Sequence, residues 1–346
     1  MTHLWVRAES RDNEARVGIM PQGVAELIRQ GMRVTVEDSR QRIVPTADYA
    51  TAGATIEAEG SWTDAPADAL IFGLKELPTD GTPLRHTHIM FGHAYKGQPD
   101  GRVLLDRFKV GGGRLLDLEY LTEEGGRRVA AFGYWAGYAG AAVSLMCWMA
   151  QQQGKIMGPV RAVPSRAHLL ADLQGDLVRI GTQRPTALII GALGRVGTGA
   201  ADLCRDMGVA TTLWDTAETA GGGPFPETLQ HDLFLNCILA RPGTPVFVPA
   251  SAKVADRKLS VIGDIACDPD SDFSPIKVYD RVTTWDAPAL RVHDAPPLDV
   301  TAIDNLPSLM PLESSQDFAD QLLPHLATPA SDVWARASAL FDRATA

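Results

Sequence analysis

Three apolar stretches in the first half of the chain lead into side chains that can exchange protons. Lys75 and Glu76 follow a glycine in ALIFGLKELP, and His93 follows another in IMFGHAYKGQ. Glu119 lies in the third stretch, LLDLEYL. A lysine or histidine acts as a general base or acid when its surroundings bring its pKa near the working pH. The pattern therefore indicates acid–base chemistry on a small molecule.

Each of these residues also has an ordinary structural interpretation. Lys75 and Lys96 can be solvated loop charges, and Glu76 a residue of a helix N-terminus. His93 can be a hydrogen-bonded core histidine, and Glu119 a salt-bridge partner. For any one residue this interpretation is favoured. Their shared position at strand ends favours a cluster instead, because open α/β sheets bind ligands at the carboxyl ends of their strands.

Alternating strand and helix patterns predict how these ends are positioned. Val24, Leu27 and Ile28 share one helical face, with Gly31 at the C-cap. Strands alternating with helices predict a mostly parallel sheet covered on both faces. The predicted strands of this half are 4–9, 32–38, 67–73, 88–92 and 114–121.

A glycine-rich loop opens a second series of strands and helices. The segment 186–215 reads as strand, glycine turn, helix and strand. Gly191 permits a tight turn, Gly194 lets the backbone approach a pyrophosphate, and Gly197 allows close helix packing. Arg195 within the loop is a phosphate contact or a solvated charge. The context predicts a dinucleotide site, with a ligand-free β–α turn as the alternative.

Asp215 indicates which dinucleotide would bind. It ends the strand VATTLWD, 24 positions after Gly191, near the place of a ribose-binding carboxylate. An aspartate repels a 2′-phosphate, and the following TAET supplies no arginine to attract one. The sequence therefore favours NAD over NADP. The runs 232–239 and 259–266 predict further buried strands of this second α/β domain.

Composition limits the classes of partner. The formal net charge of −10, from 32 basic and 42 acidic residues, disfavours binding to nucleic acid or an anionic membrane. Four cysteines without a CxxC pair argue against a zinc site and a disulfide framework, and fit a reducing cytoplasm. The first ten residues lack the apolar region of a secretory signal.

The segment 130–150 carries no charge and is long enough to span a bilayer. It is rich in alanine and glycine, so its insertion would be marginal. We expect a buried interdomain helix, with membrane insertion as the lesser alternative.

The length of 346 residues predicts two domains. A last amphipathic helix begins behind Ser331 and needs a sheet to cover. Its apolar positions are Val333, Ala337, Leu340 and Phe341. We therefore expect a discontinuous substrate and catalytic domain, residues 1–132 plus 315–346, and an NAD-binding domain, residues 133–314.

Several motifs together resemble a known family. The motifs are IFGLKELP, LRHTHIMFGHAYKGQ, LLDLEYL, RRVAAFGYWAG, LIIGALGRVGTGA and IDNLPSLMP. They resemble those of the NAD-dependent, lysine-forming saccharopine dehydrogenases, and the similarity extends over nearly the whole chain. Alanine dehydrogenase and the transhydrogenase N-terminal domain are related in fold. The resemblance implies an α/β protein with two Rossmann-like domains and parallel sheets around an interdomain cleft.

The resemblance also implies an activity, in which saccharopine, NAD and water give lysine, 2-oxoglutarate and NADH. By motif matching, Lys75 takes the amine proton, and His93 serves as acid and base for water and for C–N cleavage. Glu76 and Glu119 would tune these two groups electrostatically. An opine-type or amino-acid dehydrogenase, or a nucleotide-binding regulator without catalysis, are the alternatives.

The same matching assigns binding residues. Arg16, Lys96 and Arg128 match cationic positions that would hold the carboxylates of saccharopine. Asp304, in IDNLPSLMP, matches a residue near the nicotinamide. An acidic protein that binds an acidic substrate needs such local cations.

Overall fold

The computed structural model describes residues 1–95, 99–181 and 183–346. The chain forms two compact units, one of residues 1–131 with 311–346, and one of residues 132–310. Within the described residues, each unit contains one six-stranded sheet. The strands are parallel except at one edge, so the predicted α/β class with parallel sheets is confirmed.

The first unit begins with strands and helices in alternation. They are β1 (His3–Val6), α1 (Pro21–Arg29), β2 (Arg33–Glu37), α2 (Thr46–Thr51), β3 (Thr55–Glu57), β4 (Leu70–Phe72), β5 (Thr87–Met90), α3 (Pro99–Gly111) and β6 (Arg114–Asp117). The strand order is β3-β2-β1-β4-β5-β6, so β1 lies inside the sheet and β6 at its edge.

The second unit carries the glycine loop. Its elements are α4 (Gly133–Gln152), α5 (Arg166–Ile180), β7 (Thr186–Ile190), α6 (Arg195–Asp206), β8 (Ala210–Trp214), α7 (Thr216–Thr219), β9 (Leu233–Asn236), β10 (Val261–Asp264), β11 (Leu290–Asp294) and β12 (Pro297–Thr301). The strand order is β11-β12-β10-β9-β7-β8, and β11 runs antiparallel to β12.

The chain returns to the first unit with α8 (Pro311–Leu326) and α9 (Asp332–Thr345). Ser331 is the N-cap of α9, as predicted, although its side chain makes no capping hydrogen bond. Of the predicted apolar positions, Leu340 is only half-buried, and Trp334 is buried in addition. Helix α9 packs against β6 and α3. The assignment of the units as substrate and cofactor domains stays a prediction.

The uncharged segment 130–150 forms α4, and most of this helix is buried, as expected. Its close approach to α6 depends on glycines. A Cβ at Gly137 would lie 1.8 Å from the carbonyl oxygen of Val196, and one at Gly199 would lie 1.9 Å from that of Tyr134. Among the described residues, no helix has the length and apolar character needed to cross a membrane.

All five strands predicted for the first unit are shorter in the structure, and the contacts at the ends of β1 and β6 show why. β1 ends at Val6 rather than residue 9, because Glu9 turns its carboxylate to the backbone of Leu74 instead of continuing the ladder. β6 ends at Asp117, whose carboxylate accepts the N–H of Glu119. In α1 the C-cap is Gln30, one residue before the predicted Gly31.

His88, on β5, is fully buried, and its ring packs edge-on against Trp62 and Phe108. Neither ring nitrogen has a hydrogen-bond partner in the part of the chain that the structure describes. Burial, followed by the charge of Arg7, lowers the pKa of His88 from 6.5 to about 3. The folded state therefore keeps this ring neutral.

We expect the first unit to lose stability as the pH falls from 7 to 5. Unfolded histidine binds a proton near pH 6.5, whereas folded His88 does so only near pH 3. The unfolded state binds more protons in this range, so the free energy of unfolding decreases by ~2 kcal/mol on acidification. Urea unfolding of the protein and of His88→Phe at both pH values measures this contribution. An equal pH dependence in both proteins would contradict it.

Candidate functional site

The predicted acid–base residues follow three neighbouring parallel strands of the first unit. Phe72 of β4 lies opposite Ile89 of β5, and Ile89 lies opposite Leu116 of β6. The N–H of Phe91 donates to the carbonyl oxygen of Leu74 at 3.1 Å, which joins the loops after β4 and β5. The structure therefore places three predicted residues at the carboxyl end of this sheet: Lys75, His93 and Glu119.

His93 and Glu119 form a direct pair. Nδ1 of His93 lies 3.1 Å from Oε2 of Glu119, and the two side chains are 47% and 21% exposed. His93 has a left-handed backbone, φ +49°, and its ring stacks on that of Phe91 with centroids 6.3 Å apart. A carboxylate at Nδ1 accepts the proton on that nitrogen and fixes the ring orientation, which leaves Nε2 as the nitrogen suited to a substrate.

Asp117 supports this pair and was missed by the sequence analysis. Its side chain is buried, and Oδ1 accepts the N–H of Glu119 at 2.9 Å. Burial raises the pKa of Asp117, while the backbone N–H groups of Glu119 and Gly92 oppose the increase. The aspartate stands in LLDLEYL two positions before Glu119, within the predicted strand 114–121, so a charged residue in an apolar run was the only available signal.

Lys75 and Glu76 follow β4 with different surroundings. Lys75 is half-buried, and its backbone N–H donates to Oε2 of Glu9 at 3.0 Å. Glu76 is exposed and lies 3.3 Å from a guanidinium nitrogen of Arg11. An exposed ion pair of this kind contributes little to stability. Glu9 is a second residue that the sequence analysis missed, because it was predicted as part of a strand.

The predicted substrate-binding cations have distinct placements. Arg16 is buried and bonds Glu14 through two nitrogens, at 2.8 and 2.6 Å. Arg128 is exposed in the loop after β6, where it pairs with the backbone of Thr122. Lys96 lies outside the described residues. Binding of substrate carboxylates by these residues stays a prediction.

In the second unit, the glycine loop has the close packing that a phosphate cradle needs. Gly191 has φ +81°, and a Cβ there would lie 2.5 Å from Cγ2 of Ile238. A Cβ at Gly197 would lie 2.1 Å from the carbonyl oxygen of Gly191. Gly194 is the N-cap of α6, which starts at Arg195. The backbone N–H groups of this helix start fit a pyrophosphate.

Asp215 contacts the glycine loop directly. Its Oδ2 accepts the N–H of Leu193 at 3.0 Å, and its Oδ1 accepts that of Thr216 at 2.9 Å. It is also the N-cap of α7, in a capping box with Glu218. The structure therefore brings together the loop and the acid that the sequence predicts for NAD. Asp304 is exposed in the segment after β12.

Buried polar groups also lie at the carboxyl ends of β9 and β10. Asn236 donates through Nδ2 to Oδ1 of Asp264 at 2.9 Å, and the hydroxyl of Tyr279 donates to Oδ2. Burial raises the pKa of Asp264, while these hydrogen bonds oppose the increase. This cluster was not predicted, because an Asn and an Asp within apolar strands give no spacing signal.

Known proteins resemble this chain over nearly all of its length. The "Saccharopine dehydrogenase [NAD(+), L-lysine-forming]" of Schizosaccharomyces pombe is 41% identical, over 98% of this chain and 97% of its own. The protein of the same name from Neurospora crassa is 43% identical, over 100% of this chain and 97% of its own. The chain belongs to this saccharopine dehydrogenase family. NAD is the cofactor in the name of these relatives.

Broader comparisons concern part of the sequence and the fold. The family described as "Alanine dehydrogenase/PNT, N-terminal domain" matches residues 5–139. A solved L-alanine dehydrogenase superposes with a TM-score of 0.70 at 18% identity, covering 99% of this chain and 94% of that one. A transhydrogenase from Sinorhizobium meliloti gives 0.64 at 18% identity, with 94% of each chain covered. These two structures show the fold.

In this member of the saccharopine dehydrogenase family, replacement of Asp215 by Ser should reduce the preference for NAD over NADP. The 2′-phosphate would no longer meet a carboxylate, and the ribose hydrogen bonds would be lost. The ratio of kcat/KM for the two cofactors measures the change. Glu218→Gln is the matched control, because it alters the capping box and keeps the Asp215 carboxylate. Equal use of both cofactors by the unsubstituted protein would refute the assignment.

Proposed function

We propose that this chain catalyses the reaction for which its relatives are named, with side chains of the first unit as the acid–base groups. Saccharopine, NAD and water give L-lysine, 2-oxoglutarate, NADH and a proton. The observation that carries the proposal is the placement of Lys75 and the His93–Glu119 pair after neighbouring parallel strands, at the carboxyl end of one sheet. This end of the sheet has the two separate proton-transfer groups that the reaction requires.

The cofactor is assigned to the second unit. Bound NAD would supply the acceptor for a hydride from the carbon beside the secondary amine. Gly191, Gly194 and Gly197 shape the loop that fits the pyrophosphate, and Arg195 begins the helix behind it. Asp215 is placed beside this loop, where its carboxylate can bind the ribose hydroxyls. The family motif assigns Asp304 to the nicotinamide region.

Lys75 is proposed as the base for the substrate amine. Loss of a hydride from the neighbouring carbon requires the amine nitrogen to share its electron pair, so its proton must first leave. A neutral lysine amine accepts that proton. Exposed Glu76 beside Arg11 acts through the field at this strand end rather than by contact with the reacting atoms.

His93 is proposed to act on the imine that remains. It takes a proton from the attacking water and later gives one to the departing lysine nitrogen, so one ring serves as base and then as acid. Glu119 holds Nδ1 at 3.1 Å and stabilises the protonated ring between these steps.

Local cations are needed for substrate binding, since the chain has a formal net charge of −10 and saccharopine carries three carboxylates. We assign Arg16, Lys96 and Arg128 to these groups. Arginine and carboxylate form paired hydrogen bonds, which fix orientation as well as charge. Arg16 already makes such a pair with Glu14, which sets the direction of its guanidinium.

The test is NADH formation with saccharopine as the substrate, and its reversal with lysine, 2-oxoglutarate and NADH. Turnover in both directions supports the proposal. Turnover with another secondary amine or an amino acid, and none with saccharopine, would instead show a related dehydrogenase. Binding of NAD without turnover of any of these substrates would show a nucleotide-binding regulator.

A further inference from the structure

We propose that Arg7 and Glu9, which follow β1, form a clamp that positions Lys75 for proton transfer. The inference rests on the proposed function, since it takes Lys75 as the base. Arg7 and Glu9 are positioning residues, because their contacts are with the backbone of the loop that carries Lys75.

Glu9 binds the backbone N–H groups on the N-terminal side of Lys75. Its Oε1 accepts the N–H of Leu74 at 2.6 Å, and its Oε2 accepts the N–H of Lys75 at 3.0 Å. One carboxylate thus bonds two successive N–H groups after the end of β4. Hydrogen bonds to an ionised acceptor are shorter and stronger than neutral ones, so this loop start is firmly placed.

Arg7 binds the backbone carbonyl group of Lys75. Its guanidinium donates to the carbonyl oxygen of Lys75, and also to the carbonyl oxygen of Ala8 at 3.1 Å. It lies 3.3 Å from Oε2 of Glu9, which completes the clamp. Both backbone polar groups of Lys75 are therefore bonded to one ion pair, and the peptide planes on its two sides are fixed.

Gly73 makes room for the clamp. A Cβ at this position would lie 2.4 to 2.7 Å from three atoms of the Arg7 guanidinium group. Packing against Arg7 therefore explains why residue 73 is a glycine, without any role for a ligand. It lets a buried guanidinium lie against the chain just before the predicted base.

The clamp is buried, and it directly follows a strand that is paired on both sides. The side chains of Arg7 and Glu9 are 2% and 9% exposed, so water competes little for their hydrogen bonds. β1 pairs with β2 on one side and with β4 on the other, and the N–H of Arg7 bonds the carbonyl oxygen of Phe72. A rigid central strand therefore sets the position of Lys75.

The test is a double-substitution cycle on the full chain with saccharopine and NAD. Glu9→Gln should lower kcat by about 10- to 100-fold and leave the affinity for NAD unchanged, because the N–H groups of Leu74 and Lys75 no longer share one carboxylate. Added to Lys75→Met, the same substitution should lower kcat by less than about 2-fold, because a residue that acts through Lys75 has no effect without it. Losses that multiply would show a purely structural role and overturn the inference.

Two further variants test whether a loss of turnover comes from the clamp or from a general loss of stability. Glu9→Asp retains the charge beside Arg7 and shortens the side chain, so it should fold and still lose turnover. Asp232→Asn is the matched control, because Asp232 also joins a cation and a backbone N–H, those of Lys258 and Thr186, away from the proposed site. It should lower stability and keep kcat.

Failure of the inference can be told apart from failure of the proposed function. Normal turnover by Lys75→Met would overturn the role of Lys75 and the clamp together. Impaired turnover by Lys75→Met, with normal turnover by both Glu9 variants, would overturn the clamp alone.

Discussion

Lys75→Met should lower kcat with saccharopine by about 10²- to 10⁴-fold while the substrate still binds. Methionine keeps much of the length and apolar character of the lysine side chain, but it cannot accept the amine proton. Hydride transfer should be the affected step, so NADH formation should be slow in the first turnover as well as in the steady state. Rapid-mixing kinetics and calorimetric binding of saccharopine measure the two effects.

Lys109→Met is the control for this substitution. Lys109 is exposed in α3 of the same unit, so its replacement removes a charge far from the predicted base along the chain. Turnover should stay at the unsubstituted level. Near-normal turnover by Lys75→Met itself would leave Lys75 as a ligand contact or a loop charge.

His93→Gln should also lower steady-state turnover by about 10²- to 10⁴-fold, but at a later step. Glutamine can form hydrogen bonds, yet it cannot take up and release a proton near neutral pH. Since the imine forms before its hydrolysis, the first equivalent of NADH should still appear quickly, followed by a slow phase. A burst of NADH therefore separates this variant from Lys75→Met.

A second histidine of the first unit offers a matched control for His93→Gln. His325 in α8 lies 3.8 Å from the carboxylate of Glu123, so it is another histidine–glutamate pair. His325→Gln should keep both the burst and the steady-state rate. Slow first-turnover NADH formation by His93→Gln would contradict a role confined to hydrolysis.

Local sequence patterns predicted the secondary-structure elements and several groups of site residues that lie close together. Apolar runs identified β4, β5 and β6, and parallel pairing then requires their carboxyl ends to share an edge. The glycine spacing and Asp215 predicted a loop and an acid that the structure joins through Leu193. These features depend on residues close in sequence or on the regular geometry of a sheet.

The clamp on Lys75 could not be predicted in the same way. Glu9 and Lys75 are separated by 66 positions, and the alternation in LWVRAE is equally compatible with a strand that continues to Glu9. The pairing of Arg16 with Glu14 was also hidden, because both residues lie in a loop where spacing does not fix side-chain direction. Asp117 resembled an ordinary strand residue. Such contacts depend on packing between distant segments.

The discontinuity of the first unit has a consequence for synthesis on the ribosome. Residues 132–310 form a contiguous unit, so its whole sequence emerges before α8 and α9 have been made. Helix α9, however, packs on the edge strand β6 and is made last; there Ser338 and Asp342 bond Arg114, and Phe341 packs on Phe108. The sheet that carries Lys75 and His93 is thus translated first and completed last. Until then the surface of β6 and α3 that α9 covers is exposed, and exposed apolar surface makes a nascent chain prone to aggregation.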